Sequence, residues 1–108
     1  MTKLTQDNFI ESVFATNFDK VTIIEFSANW CGSCKDFQTT TLPQLEQLYS
    51  PNNVIFYKVD VDESPELADQ HNIDKLPTFL FFKNRQIKNF IIGNESLETF
   101  KDTINGIL

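Results

Sequence analysis

Two nearly uninterrupted apolar runs stand out along the chain, VTIIEF at residues 21–26 and VIFYKV at residues 54–59. Both are rich in β-branched residues and show little polar alternation. That pattern predicts strands covered on both faces, as the central strands of a parallel sheet are. Between them, CKDFQTTTLPQLEQLY places Phe37, Leu42, Leu45, Leu48 and Tyr49 at roughly helical spacing. Pro43 falls inside this pattern and predicts a kink or a restart. Strand, helix and strand at these lengths form a right-handed βαβ unit with parallel strands.

The flanking segments extend this frame. Ser64 is suited to cap a short helix, with Pro65 as its first residue. TFLFF and IKNFII, separated by a short polar stretch, predict an antiparallel hairpin. Leu97, Phe100, Lys101, Ile104 and Leu108 share one helical face, so an amphipathic helix closes the chain. At the front, Phe9, Ile10, Val13 and Phe14 predict another helix, with Thr5 as its cap. The expected fold class is therefore α/β, with one mixed sheet made of a parallel βαβ half and an antiparallel hairpin, and helices on both faces. The 108 residues suit one domain spanning 1–108, since two separate cores would be too small.

Composition narrows the function. Net charge is −6, which argues against nucleic acid or an anionic membrane as the main partner. Asp60, Asp62, Glu63, Glu66, Asp69 and Asp74 follow one another with no Lys or Arg between them, the pattern of a solvated acidic face. The N-terminal MTKLTQDNFIES lacks the apolar core of a secretory signal, so a cytoplasmic setting is expected. Nothing in the pattern demands more than a monomer.

The two cysteines of the chain, Cys31 and Cys34, are separated by two residues and stand where the first central strand gives way to its helix. The first N–H groups of a helix lack internal partners, and its dipole is positive there. A thiolate at that end is stabilised, and the thiol pKa falls from about 8.5 toward neutrality. Cys34 lies one turn further in, where it is able to resolve a mixed disulfide formed at Cys31. Three readings compete. Zinc needs about four ligands, and His71 is the chain's one histidine. An inert disulfide closing so short a loop restrains little of the unfolded chain. Dithiol–disulfide exchange suits the placement best.

At this point the sequence resembles the thioredoxin family. The resemblance rests on WCGSC at residues 30–34 followed by Lys35, KVDVD at 58–62, LPT at 76–78, and FFKN at 81–84 leading to Gly93. It implies a thioredoxin fold, a cis peptide bond between Leu76 and Pro77, and pairing of a client chain with the backbone before Pro77. Trp30, Gly32, Ser33, Ile73 and Gly93 match positions that line the family's client surface. Glu25 stands where the family typically has Asp, beside the partner lysine Lys58. Buried in IIEF, it is expected either to take the Cys34 proton through water or to form a salt bridge with Lys58. Ser33 replaces the usual Pro. Pro43 comes later than the family's kink proline, Arg85 replaces a turn glycine, and Asp74–Lys75 alter the approach to Pro77. His71 is expected to be a surface residue at a helix end.

The implied activity is reduction of disulfides in client proteins. No bound cofactor is expected. The Cys31–Cys34 disulfide itself would be the redox group, recycled by an external NADPH-dependent flavoprotein, a thioredoxin reductase. An oxidase or isomerase in an oxidising compartment is the first rival. The second is a non-enzymatic binding subunit.

Overall fold

The computed structural model describes all 108 residues. Five strands form one sheet: β1 (Thr2–Lys3), β2 (Val21–Ser27), β3 (Val54–Asp60), β4 (Thr78–Lys83) and β5 (Gln86–Ile92), in the order β1-β3-β2-β4-β5. β1 and β2 both pair parallel to β3, while β4 runs antiparallel to β2 and to β5. The βαβ half and the terminal hairpin are therefore both present. All seven residues of β2 are buried, as its unbroken apolar pattern requires.

Side-chain alternation along β2 sorts its residues to two cores. Val21 and Ile23 join Phe37, Leu45, Phe79, Phe81, Phe100 and Ile104 beneath the long second helix and the last one. Ile24 and Phe26 join Leu4, Phe9, Val13, Tyr57, Leu80 and Phe82 on the opposite face. The helices are α1, whose main segment is Glu11–Thr16, α2 over residues 32–48, α3 (Pro65–Gln70) and α4 (Leu97–Ile107). No helix is long and apolar enough to cross a membrane.

Several local expectations need correction. Strand β1 carried too few residues to show a pattern; it is held by Leu4 N–H donating to the Lys58 carbonyl at 2.7 Å. Pro43 stands in the first turn of a renewed α segment, Leu42–Leu48, which is the expected restart. What was not expected is the π-wound stretch Phe37–Thr41 that joins it to Gly32–Asp36, in which Leu42 N–H donates to the Phe37 carbonyl. A wider turn just before the proline relieves the clash that its ring causes in regular α winding. α1 is likewise π-wound, and Ile10 faces solvent at 66% exposure. Thr5 holds its turn through backbone bonds, its N–H donating to Asn8 Oδ1. Ser64 occupies the cap position of α3, but its side chain makes no capping bond. The hairpin turns through Asn84 and Arg85, both at positive φ (54° and 64°), the geometry of a two-residue turn matched to strand twist.

Candidate active site at the end of strand β2

β2 ends at Ser27, and the chain then turns through Ala28, Asn29 and Trp30 before α2 begins. Cys31 N–H donates to the Ala28 carbonyl at 3.1 Å, which closes that turn. Cys31 is the N-cap of α2, with extended backbone angles (φ −89°, ψ 102°). Its sulfur accepts from Cys34 N–H at 3.3 Å. A serine or aspartate oxygen commonly receives this N–H at a helix start; here a sulfur does. Ser33 Oγ lies 3.6 Å from the same sulfur. Cys31 and Cys34 are joined as a disulfide with a Cα–Cα distance of 5.4 Å. Cys34 is fully buried, and Cys31 retains 6% exposure at the rim.

Two neighbouring loops complete the rim. Asp60 Oδ1 accepts from the N–H groups of Asp62 and Glu63 and so shapes the turn after β3. Asp62 Oδ2 in turn accepts from Trp30 Nε1 at 2.9 Å. That bond holds in place an indole that is 71% exposed. On the other side, the Leu76–Pro77 peptide is cis. Leu76 packs against the cluster of Ala28, Cys31 and Cys34. Gly93 N–H donates to the Pro77 carbonyl at 2.8 Å, and its φ of 91° requires glycine there.

The residues singled out in the sequence are not all equivalent. Trp30, Cys31, Gly32, Ser33 and Cys34 are contiguous, and Leu76, Pro77 and Gly93 are tied to one another beside them. Gly32 is exposed, with open space where a Cβ would stand. Ile73 is half-buried and packs mainly against the core on the far face of the sheet. His71 is not a plain surface residue. Its ring centroid lies 5.2 Å from Phe9 and 5.7 Å from Phe26, and Nδ1–H donates to the Leu67 carbonyl at 2.8 Å.

Two residues before the end of β2, Glu25 is 1% exposed. Its register partner on β3 is Lys58, yet the two form no ion pair within 4 Å. The expected salt bridge is therefore absent. The carboxylate finds a different partner: Gln38 Nε2 donates to Oε1 at 2.7 Å. Oε2 has no hydrogen-bond partner and shares that state with one other buried side-chain atom, Thr22 Oγ1. Desolvation pushes the Glu25 pKa up from 4.5 to about 7, against the opposing pull of the Gln38 bond and the Lys58 charge. Gln38 and Asp62 are the residues that sequence reasoning missed. Gln38 lies four positions after Cys34 on a helix, the one spacing that hinted at a shared face.

A thioredoxin family model matches residues 1–106. The chain belongs to the thioredoxin family. Among thioredoxins, that of Malassezia sympodialis is 41% identical over 78 residues, covering 72% of this chain and 73% of that one. The thioredoxin of Callithrix jacchus is 37% identical over 102 residues, 94% of this chain and 91% of its own. Among solved structures, reduced Schistosoma mansoni thioredoxin pre-protein superposes with a TM-score of 0.84 at 33% identity, covering 99% of this chain and 97% of that one. The chain is accordingly a thiol–disulfide oxidoreductase working by dithiol–disulfide exchange, and its redox group is its own cysteine pair. As in thioredoxins generally, its substrates carry disulfides and a reductase restores the dithiol.

Proposed function

We propose that this protein is a protein-disulfide reductase in which Cys31 attacks and Cys34 resolves. The observation that carries this reading is the Cys34 N–H aimed at the Cys31 sulfur, at a helix N-terminus and at the rim of the fold. A thiolate on Cys31 would gain that donor and the positive end of the helix dipole. It attacks one sulfur of a client disulfide, and the other client sulfur leaves as a thiolate. The Cys34 thiol then loses its proton, and its thiolate attacks the Cys31 sulfur. The Cys31–Cys34 bond forms, the mixed disulfide breaks, and the client leaves with both sulfurs reduced. Two protein thiols have become one disulfide, so the electrons balance.

Glu25 is the acceptor for the Cys34 proton in this scheme, and Lys58 tunes it by charge. A carboxyl with a pKa of about 7 holds or releases a proton near neutral pH. Trp30, Gly32, Ser33, Leu76, Pro77 and Gly93 form the client platform, with Ile73 at its margin. The recycling partner is an NADPH-dependent flavoprotein, a thioredoxin reductase, and the setting is a reducing compartment such as the cytoplasm. Ser33 Oγ near the Cys31 sulfur favours a second reading, a more oxidising enzyme that forms or isomerises disulfides.

Insulin reduction with dithiothreitol tests the assignment. Cys31→Ser is expected to be inactive. Cys34→Ser should accumulate a covalent client adduct through Cys31, seen by mass spectrometry. If the double serine variant keeps the protein's cellular function, a non-enzymatic binding role replaces this proposal. The reduction potential of the pair separates reductase from oxidase.

A further inference from the structure

We infer that Gln38 is a positioning residue for the proton transfer at Cys34, acting through Glu25. This rests on the reading of Glu25 as the acceptor. Gln38 and Cys34 lie about one turn apart on α2, so the helix that carries the resolving thiol also carries the group that holds the carboxyl. The 2.7 Å bond engages Oε1 and leaves Oε2 the one carboxyl oxygen without a partner. The proton would therefore arrive at Oε2.

An amide suits this position better than a cation does. Gln38 donates its NH2 to Oε1, which stays an acceptor whether Oε2 is charged or protonated. It can thus hold Glu25 in both states without fixing its charge. Gln38 and Lys58 also line a polar cavity of about 60 Å³, large enough to admit a water beside Gln38, though neither Glu25 nor Cys34 borders it. The charged groups on that cavity are Lys35 from α2, Lys58 and Asp60 from β3, and Lys3 from β1. On the other side Glu25 pairs with the uncharged Phe79 of β4. Gln38 is the one hydrogen-bond donor that reaches the carboxyl, so the inference can be tested at this single residue.

The test is Gln38→Leu, read by two measurements against wild type and Glu25→Gln. Carbon-13 NMR follows the Glu25 carboxyl titration. Single-turnover resolution of a Cys31-linked mixed disulfide is followed from pH 6 to 9. Losing a hydrogen bond to the charged form should raise the Glu25 pKa by about one unit. With its midpoint moved from 7 to 8, resolution at pH 7 should fall about fivefold and return to near the wild-type rate at pH 9. A merely structural role for Gln38 predicts an equal loss at every pH, or none, with the carboxyl titration unmoved; either result overturns the inference. Glu25→Gln decides the underlying reading separately. If it leaves the pH profile as in wild type, Glu25 is not the acceptor. If it flattens the profile while Gln38→Leu moves nothing, Glu25 stands and Gln38 fails. Adding Gln38→Leu to Glu25→Gln should cause no further change in the profile; an additional shift would show that Gln38 acts by another route and would overturn the inference.

Discussion

The two faces of the sheet bury similar materials to different ends. The face under α2 and α4 is built around Phe37, Phe79 and Phe100, with ring centroids 4.5–5.2 Å apart. The face under α1 and α3 is built around Phe9, Phe26 and Phe82. Each face also carries a buried or half-buried titratable side chain, Glu25 on one and His71 on the other. On the second face His71 sits half-buried among aromatic rings with Nδ1–H bonded to a carbonyl. On the first face Glu25 is held by one bond, with its second oxygen unmatched. A buried polar group left half-satisfied costs stability. It persists on the face that carries the reactive thiols, while the face away from them holds a partnered group. Thr22 Oγ1, which alternation along β2 places on the second face, is also unpartnered, but it is a neutral hydroxyl; an unmatched ionisable oxygen occurs on the functional side alone.

The largest loss is expected from emptying one aromatic core. Phe100 is fully buried and touches both Phe37 and Phe79. Phe100→Ala is expected to cost about 3–5 kcal/mol, measured by urea denaturation of the oxidised protein. Because the same core backs α2, the variant should also disturb the Glu25 titration. A loss well below 1 kcal/mol would show that the cluster carries little of the stability of this face.

A smaller effect isolates the carboxyl. Folded Glu25 keeps its proton up to about pH 7, whereas its ordinary value is 4.5. Between those values the folded state binds more protons than the unfolded state, so this group's contribution to stability falls as pH rises through the window. Above pH 7 the full cost is present, roughly 3 kcal/mol for such a shift. Glu25→Gln should therefore match wild type below about pH 4.5 and exceed it above pH 7 by up to that amount. Denaturation of both proteins across this range checks the sign. A difference constant with pH would mean that the folded carboxyl titrates at its ordinary value.

Much of this arrangement was legible in the chain. The unbroken run of β2 announced a doubly covered strand, and the placement of Cys31 at a strand-to-helix junction announced a thiol at a helix start. The family resemblance named Lys58 as the partner of Glu25, and the two are register neighbours, but they do not pair. Register fixes backbone neighbours, while the ends of long side chains go where hydrogen bonds are available. Gln38 was invisible because a polar residue on a half-polar helix has no pattern of its own. The π-wound turn before Pro43 was missed for a related reason. Proline forbids regular winding, but surrounding packing chooses between a kink and a wider turn. β1 exists because β3 offers it an edge, a tertiary cause absent from a two-residue stretch.

The smallest expected effect concerns the rim of the reactive face. Ser33 is the second residue of α2, where the backbone N–H has no partner inside the helix, so proline is tolerated there. Its hydroxyl, 3.6 Å from the Cys31 sulfur, is placed to donate to a thiolate. A donor to the thiolate stabilises the reduced form and raises the potential of the pair. Ser33→Pro removes that donor while leaving Cys34 N–H in place. If the hydroxyl contributes about 1 kcal/mol, the reduction potential should fall by roughly 20 mV, read by equilibration with glutathione. An unchanged or higher potential would leave the backbone N–H and the helix dipole as the main control of the Cys31 thiolate. The departure from proline would then concern the fit of clients rather than the direction of electron flow.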